Sequence, residues 1–262
     1  MTTKSTHEIA PGVHWLHLRG VNVFFVRSGA DWTLIDTGFP GAAATIADAA
    51  EELVGGEGRA AAILLTHGHP DHAGSAAALA TAWDVPIVAP AAELPYMDGG
   101  DLYPEPLVHW LKRRLPGGAI AELARRSALQ APLTALDPGQ DVPTLPDWIA
   151  VPTPGHTPGH TAYFRPSDRT LIAGDALLTL AWPSRLSGGG WLLDLVRRAP
   201  RITGPPSGFT CNWGDAATSV AALAELDPWL LASGHGTPLA GPRLAPALRA
   251  FAAHARHAGE RA

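Results

Sequence analysis

Residues 66–72 read Thr66-His67-Gly68-His69-Pro70-Asp71-His72, which places four candidate metal ligands within six positions. The stretch follows Ala61-Ala62-Ile63-Leu64-Leu65, a short apolar run that is typical of a buried strand. Its side chains therefore lie on a loop at the end of a strand, where a rigid scaffold can aim them at one point. Burying four titratable groups on one loop is costly without a cation, so the pattern predicts a metal site.

Three later segments carry further candidate ligands, each beside a glycine. They are Gly155-His156, Gly174-Asp175 and Gly234-His235. The last two follow the strand-like runs Leu171-Ile172-Ala173 and Trp229-Leu230-Leu231-Ala232. Ligands delivered to one place from several strand ends are what a pre-formed metal site needs.

The number of ligands suits two metal ions better than one. In this assignment one ion takes His67, His69 and His156, the other takes Asp71, His72 and His235, and Asp175 bridges them. Each ion then keeps an open position for water, as a catalytic site requires. Imidazole and carboxylate ligands without thiolate predict zinc, with iron or manganese as alternatives.

The order of these motifs resembles that of the metallo-β-lactamase superfamily. The matching residues are Leu34-Ile35-Asp36-Thr37-Gly38, His67 to His72, Gly155-His156-Thr157, Gly174-Asp175 and Gly234-His235-Gly236. The resemblance covers the chain from about Val13 to Pro238. It implies an α/β (α+β) fold, an αββα sandwich of two mixed β-sheets with the metals at one edge.

Asp36 and His160 are candidates for holding the ligands in place. A metal-bound imidazole usually gives its other N–H to a carboxylate or a carbonyl. Asp36 resembles the family's aspartate near the metals, although a turn at Thr37-Gly38 would also explain it. His160 either holds the loop that carries His156 or is simply buried in the next strand.

Composition agrees with one domain over residues 1–262. The chain has 46% hydrophobic and 16% charged residues and can bury a sizeable core. The net charge of −5 gives no electrostatic case for nucleic acid. No apolar run approaches the ~18 residues of a membrane span, and residues 1–8 lack the apolar core of a signal peptide. We therefore expect a cytoplasmic protein with a small-molecule substrate and neither a nucleic-acid nor a membrane partner; its oligomeric state stays open.

Periodicity outlines the elements between the motifs. It predicts strands over residues 13–18, 21–27, 32–36, 61–65, 86–89, 148–151, 161–164, 170–173 and 229–232. It predicts helices over Ala42–Val54, His72–Trp83, Trp213–Leu226 and Ala245–Ala258. Asn212 is expected to cap the third helix.

Two segments, at about 91–129 and 177–209, do not follow the periodicity of a core strand or helix. They contain aromatic residues among prolines and glycines. We interpret them as lid-like insertions that cover the metals and form an apolar pocket; ordinary packing over a sheet face is the alternative. The candidate pocket residues are Tyr96, Tyr103, Trp110, Leu178, Trp182, Trp191 and Phe209. A small, mostly apolar substrate is expected.

Within the superfamily, Asp175 argues against a true β-lactamase and resembles glyoxalase II and acyl-homoserine-lactone lactonases. The lactonases carry a tyrosine three residues after this aspartate, where this chain has Leu178, so Tyr96 or Tyr103 would have to replace it. Glyoxalase II has a C-terminal helical domain, and only about two dozen residues follow His235 here. The resemblance therefore leaves the acyl group open.

The leading hypothesis is a dinuclear metal hydrolase that cleaves an ester, lactone or thioester by means of a metal-bridging hydroxide. The expected catalytic residues are Asp71, which would shuttle a proton to the leaving group, and Asp175. One alternative is a mononuclear iron persulfide dioxygenase that uses His67, His156 and Asp175. Weak or promiscuous β-lactam hydrolysis and a non-catalytic metal-binding module are the others.

Overall fold

Two mixed β-sheets lie face to face in the computed structural model. The structure describes residues 6–54, 58–137, 139, 141–187 and 201–259. The first sheet runs in chain order: β1 (His7–Ala10), β2 (Val13–Leu18), β3 (Val21–Ser28), β4 (Asp31–Ile35), β5 (Ala60–Leu64), β6 (Ile87–Pro90) and β7 (Leu133–Leu136). The second sheet has the order β12-β11-β10-β9-β8, with β8 (Ile149–Pro152), β9 (Thr161–Arg165), β10 (Thr170–Ile172), β11 (Leu230–Ala232) and β12 (Leu239–Ala240).

Helices cover the outer face of each sheet and complete the αββα sandwich, which confirms the predicted fold. They are α1 (Ala43–Val54), α2 (Pro70–Ala73), α3 (Ala76–Trp83), α4 (Leu94–Met97), α5 (Pro106–Lys112), α6 (Gly117–Ser127), α7 (Trp213–Glu225) and α8 (Leu244–Gly259). On the first sheet the apolar contacts come from α1 and α3, through Ile46 and Leu79. On the second they come from α7 and α8, through Val220 and Leu248. Among the described residues, no helix is both long and apolar enough to cross a membrane.

Parallel pairing decides where the functional loops lie. Strands β4, β5, β6 and β7 are parallel in the first sheet, and β10 and β11 are parallel in the second. The carboxyl ends of parallel neighbours share one edge of a sheet. The loops after β4, β5 and β6 therefore meet at one edge, as do the loops after β10 and β11.

The helix predicted over His72–Trp83 is wrong, because the chain breaks between α2 and α3. At Gly74 a side chain would collide with Pro70 O and with the ring of Pro40. Gly74 N donates to Gly38 O at 3.1 Å, outside the helix, and the next residue, Ser75, donates from Oγ to Phe39 O at 2.7 Å. The turn that contains Pro40 thus makes α2 a single turn that carries two candidate ligands.

The remaining elements agree with the predicted ones within a residue or two, apart from short elements that periodicity missed. The edge strands β1 and β7 have four residues each, and several of these are exposed, so neither strand forms a buried apolar run. The Asn212 cap is confirmed, since its side chain accepts hydrogen bonds from Gly214 N at 2.9 Å and Asp215 N at 3.1 Å.

The two predicted insertions differ in structure. The first contains a short 3₁₀ helix, Ala91–Glu93, followed by α4, α5 and α6. In the second, Leu178 and Thr203 exchange two backbone hydrogen bonds of 2.9 Å. Residues 188–200, and with them the predicted pocket residue Trp191, lie outside the described part of the chain.

Candidate metal centre

All seven predicted ligands lie together at the edge where strand ends of both sheets meet. His67 and His69 lie on the loop after β5, Asp71 and His72 on α2, His156 between β8 and β9, Asp175 after β10, and His235 after β11. Three overlapping sets of ligand atoms each fit within 4.8 Å: His67, His69 and His156; His67, His72 and Asp175; and Asp71, His72 and His235. The first and third sets are called the first group and the second group below.

In the first group, three imidazoles face one another. His67 Nε2 lies 3.1 Å from His69 Nδ1. The ring of His156 lies 4.8 Å from that of His67 and 4.7 Å from that of His69, measured between centroids. Such a set of nitrogen atoms is suited to a zinc-like ion with an open position.

In the second group, a carboxylate faces two imidazoles. Asp71 Oδ2 lies 3.3 Å from His235 Nε2 and 3.7 Å from His72 Nε2. Asp175 lies between the groups, with Oδ1 at 3.5 Å from His72 Nε2 and Oδ2 at 3.7 Å from His156 Nε2. Oδ2 also lies 3.3 Å from His235 Nε2, so the carboxylate is within reach of nitrogen atoms of both groups, as a bridging carboxylate needs.

Outer hydrogen bonds decide which nitrogen of each ring faces inward. A carboxylate or carbonyl oxygen can only accept, so a ring nitrogen bonded to it carries the proton. His72 Nδ1 donates to Asp36 Oδ2 at 2.8 Å, and His235 Nδ1 donates to Gly20 O at 2.7 Å. His69 Nε2 donates to Glu105 Oε1 at 2.6 Å. In all three rings the other nitrogen points into the centre, where it can offer a lone pair to a metal ion.

The buried polar atoms of the centre fit metal ions. His72 Nε2, both ring nitrogens of His156 and Asp175 Oδ1 are buried and have no hydrogen-bond partner among the described residues. A buried polar atom left unpaired costs about 1–3 kcal/mol. Divalent cations could satisfy the atoms among them that offer a lone pair, because imidazole nitrogens and carboxylate oxygens are metal ligands.

The pKa shifts of the ionisable side chains differ between the two groups. Burial, together with His72 and His69, lowers the pKa of His67 well below its ordinary value. In the second group burial opposes the charge on His235, but Asp175 and Asp71 outweigh it and raise its pKa to about 10. Burial alone would raise the pKa of Asp71, but His72 and His235 lower it to about 2. The second group thus attracts positive charge, which protons supply when no metal is bound.

Asp36, directly after β4, contacts the loop that carries the candidate ligands. Besides His72, it accepts from Thr66 N at 2.8 Å and from Thr66 Oγ1 at 2.9 Å. That hydroxyl in turn lies 3.0 Å from His67 Nδ1. Asp36 has a φ of +59°, a conformation that Asp and Asn tolerate better than most residues. One buried carboxylate therefore holds a ligand of each group.

His160 supports the Asp175 loop. Its Nε2 accepts the backbone N–H of Asp175 at 2.9 Å, and its Nδ1 lies 2.7 Å from Thr153 Oγ1. Burial lowers the pKa of His160 to about 3, so the ring is neutral and can accept at Nε2. His160 thus acts on the backbone of a ligand and does not face the metals.

Three buried polar residues beside the ligands were missed by the sequence analysis. Glu93 accepts from Gly68 N at 3.0 Å and Gly159 N at 2.6 Å, and Glu105 accepts from His69. Asn22 donates to Ser233 O at 2.8 Å and to Gly236 O at 2.7 Å, on either side of His235. Glu93 follows β6 as Asp36 follows β4, a signal that could have found it; Glu105 and Asn22 have no such local signal.

The predicted pocket residues lie at different places. The ring of Tyr103 lies 4.9 Å from that of His69, and the ring of Phe209 lies 6.4 Å from it. Tyr96 stacks on Tyr103 at 4.6 Å. Three others are not beside His69 in this way: Trp110 carries the Arg114 guanidinium on its ring, Trp182 is partly exposed, and Leu178 is a buried core residue.

Comparisons with known proteins agree with this geometry. A family model for the metallo-beta-lactamase superfamily matches residues 17–235. The probable metallo-hydrolase YflN of Bacillus subtilis is 35% identical over 242 residues, 89% of this chain and 87% of YflN. The probable metallo-hydrolase YybB of the same organism is 35% identical over 216 residues, 82% of this chain and 80% of YybB. A solved β-lactamase domain protein from Burkholderia ambifaria has the same fold, with a TM-score of 0.64 and 20% identity over 98% of this chain and 73% of that one.

Proposed function

The chain belongs to the metallo-β-lactamase superfamily as a metal-dependent hydrolase, and from this premise we propose its chemistry in more detail. It holds two divalent metal ions, zinc by expectation, and hydrolyses an ester, lactone or thioester of a small, mostly apolar molecule. The observation that carries the proposal is the convergence of unpartnered, buried imidazole and carboxylate atoms on two adjacent groups joined by Asp175.

The first group would hold one ion and the second group the other, with Asp175 in contact with both. Bound divalent ions supply Lewis acidity, which lowers the pKa of water and polarises a carbonyl group. The protein's own part is to keep each imidazole in the tautomer that presents a lone pair inward. Asp36, Gly20 and Glu105 do this through the hydrogen bonds described above.

Asp71 is the residue that would move a proton to the leaving group. Its side chain is 22% exposed, whereas that of Asp175 is 4% exposed, so Asp71 can reach a bound substrate. His72 and His235 keep Asp71 ionised in the metal-free protein, so a carboxylate oxygen is available to take up a proton during the reaction. Such a carboxylate can then donate that proton to a departing oxygen or sulfur.

Phe209 supports the expectation of an apolar substrate. It is 48% exposed although it lies beside His69, so it offers an apolar surface next to the centre. Tyr103 lies on the same imidazole. An acyl chain laid on these rings would bury apolar area and bring its carbonyl toward the first group.

Metal analysis combined with a substrate screen tests the proposal. Protein purified without chelator should contain two equivalents of divalent metal and hydrolyse at least one class among lactones, thioesters and aryl esters. A chelator should abolish the rate, and added zinc should restore it. One equivalent of iron, with oxygen uptake in the presence of a persulfide and no hydrolysis, would favour the dioxygenase alternative and overturn the proposal.

A further inference from the structure

We infer that Glu105, from the first insertion, is a positioning residue for the first group. Its carboxylate holds the ring of His69 in the orientation that the metal requires. The inference rests on the proposed function, because it concerns the same centre. The first insertion, which we interpreted from the sequence as a lid, would then also take part in binding the metal.

The contact between Glu105 and His69 is short and shielded from water. Glu105 Oε1 lies 2.6 Å from His69 Nε2, and the two side chains are 9% and 11% exposed. Because the carboxylate can only accept, the His69 proton is on Nε2 and the lone pair is on Nδ1. That Nδ1 is the atom 3.1 Å from His67 Nε2, so the hydrogen bond selects the tautomer and the direction of the ligand together.

The local backbone does not provide this orientation. His69 is the residue before α2, with an extended conformation of φ −64° and ψ 148°, and α2 is a single turn. A ring at such a position can rotate about its side-chain bonds unless a partner holds it. Glu105 is itself the residue before α5, where the first turn is anchored by the bond from His109 N to Glu105 O at 2.9 Å.

A chain of hydrogen bonds fastens the insertion to the loop that carries His69. Glu105 N donates to Tyr103 O at 2.8 Å, and Tyr103 Oη donates to Glu93 Oε2 at 2.5 Å. Gly68 N, directly before His69, donates to both Glu93 Oε2 and Tyr103 Oη, at 3.0 and 3.1 Å. The insertion and the ligand loop therefore form one hydrogen-bonded unit, and the position of Glu105 relative to His69 is set by that unit.

The second group has its own carboxylate and does not depend on Glu105. His72 is held by Asp36, which lies in the first sheet's frame. Removal of Glu105 should therefore weaken one metal ion and spare the other. A purely structural role would instead affect both ions or the stability of the whole fold.

The test is a titration of the full-length, metal-free protein with Zn²⁺ by calorimetry and with Co²⁺ by visible absorption. In Glu105→Ala we expect one of the two binding steps to weaken by about 10- to 100-fold, the usual effect of losing such a partner. The other step should be unchanged. Glu105→Gln should recover most of the loss, because its amide oxygen can still accept from His69 Nε2. Glu122→Gln is the matched control, since Glu122 belongs to the same insertion but pairs with Arg125 and Arg126 at the surface.

Three outcomes would overturn the inference. They are unchanged binding in Glu105→Ala, equal weakening of both ions, and an effect of Glu105→Gln as large as that of Glu105→Ala. Nitrogen-15 NMR of the unaltered metal-free protein provides a test that needs no variant, because a His69 proton on Nδ1 would also overturn it. If the unaltered protein bound no metal, the proposed function would fail as well; two ions bound equally by the unaltered protein and by Glu105→Ala would remove only the role of Glu105.

Discussion

Two buried carboxylates hold imidazoles of the centre, and they come from different parts of the molecule. Asp36 lies at the end of β4 and accepts from His72, whereas Glu105 lies in the first insertion and accepts from His69. Each is separated from its histidine by 36 residues, one before it and one after it. The chemistry of the two pairs is the same. The Asp36–His72 pair, called the frame pair below, starts from a strand of the first sheet. The Glu105–His69 pair, called the insertion pair below, starts from the first insertion.

The difference between the pairs lies in what else each carboxylate holds. Asp36 also accepts from the backbone and the hydroxyl of Thr66, so it joins two strand ends as well as orienting a ligand. Within the described part of the chain, the Glu105 carboxylate has one hydrogen bond, to His69. We therefore expect the frame pair to matter for folding and metal binding together, and the insertion pair to matter for metal binding alone.

The largest effect on metal binding and hydrolysis is expected at Asp175, which belongs to neither pair. The effects of substitutions in the two pairs can be compared with it. Asp175→Ala removes the carboxylate that faces both groups, so both ions should bind weakly and hydrolysis should fall by more than the ~100-fold typical of outer partners. Elemental analysis and the rate with the best substrate measure this. His160→Ala, which removes the acceptor for Asp175 N and the contact with Thr153 but no candidate ligand, should have a smaller effect. A variant Asp175→Ala with two bound ions and an unchanged rate would remove the bridging assignment.

Asp36→Asn tests the frame pair. Asn tolerates the left-handed backbone at this position, but its amide places a donor against the donors of Thr66 or His72. One buried group left unpaired should lower the free energy of unfolding by about 1–3 kcal/mol, measured by denaturant titration of the metal-free protein. Glu105→Gln should leave that free energy unchanged. Equal losses of unfolding free energy in Asp36→Asn and Glu105→Gln would show that the two pairs do not differ in their part in folding.

Gly68→Ala separates the insertion from the ligand loop without changing a ligand. The added methyl group would collide with Tyr103 Oη and Met97 Cγ, and overpacking of this kind costs about 1–3 kcal/mol. We expect faster amide exchange at Glu105 and weaker binding of one ion. Gly117→Ala, at a position of the same insertion with open space around it, is the control. Unchanged metal binding despite a displaced insertion would show that the insertion pair is dispensable.

The smallest effects are expected at the aromatic residues. Phe209→Ala should lower kcat/KM for long acyl chains by about fivefold if roughly 40 Å² of apolar contact is lost, with little change for short ones. Trp110→Ala should change neither specificity nor stability by more than about 0.5 kcal/mol, since the residue is 45% exposed. A series of substrates of increasing chain length measures both. A larger effect at Trp110 than at Phe209 would restore the lid interpretation for that part of the insertion.

Much of the centre could be predicted from the sequence because its ligands follow strands. His67, Asp175 and His235 each come shortly after a short apolar run, and parallel pairing of those runs brings their ends to one edge. Local spacing and strand periodicity are enough to recognise such positions. The break at Gly74 could not be predicted, because it depends on Pro40, which is distant in sequence.

The sequence by itself determined the candidate ligands and the order of the motifs, since these follow from residue type and spacing along the chain, and the family resemblance that the motifs carry implied the sandwich of two mixed sheets. Only the tertiary structure decided which side chains hold the ligands in place. Glu105, Glu93 and Asn22 act across distances of 25 to 214 residues. The position of Glu93 after β6 is a local signal, but nothing in the neighbouring sequence marks the contacts of Glu105 and Asn22. A hydrogen bond depends on positions in space to within a few tenths of an ångström, and packing alone sets those positions.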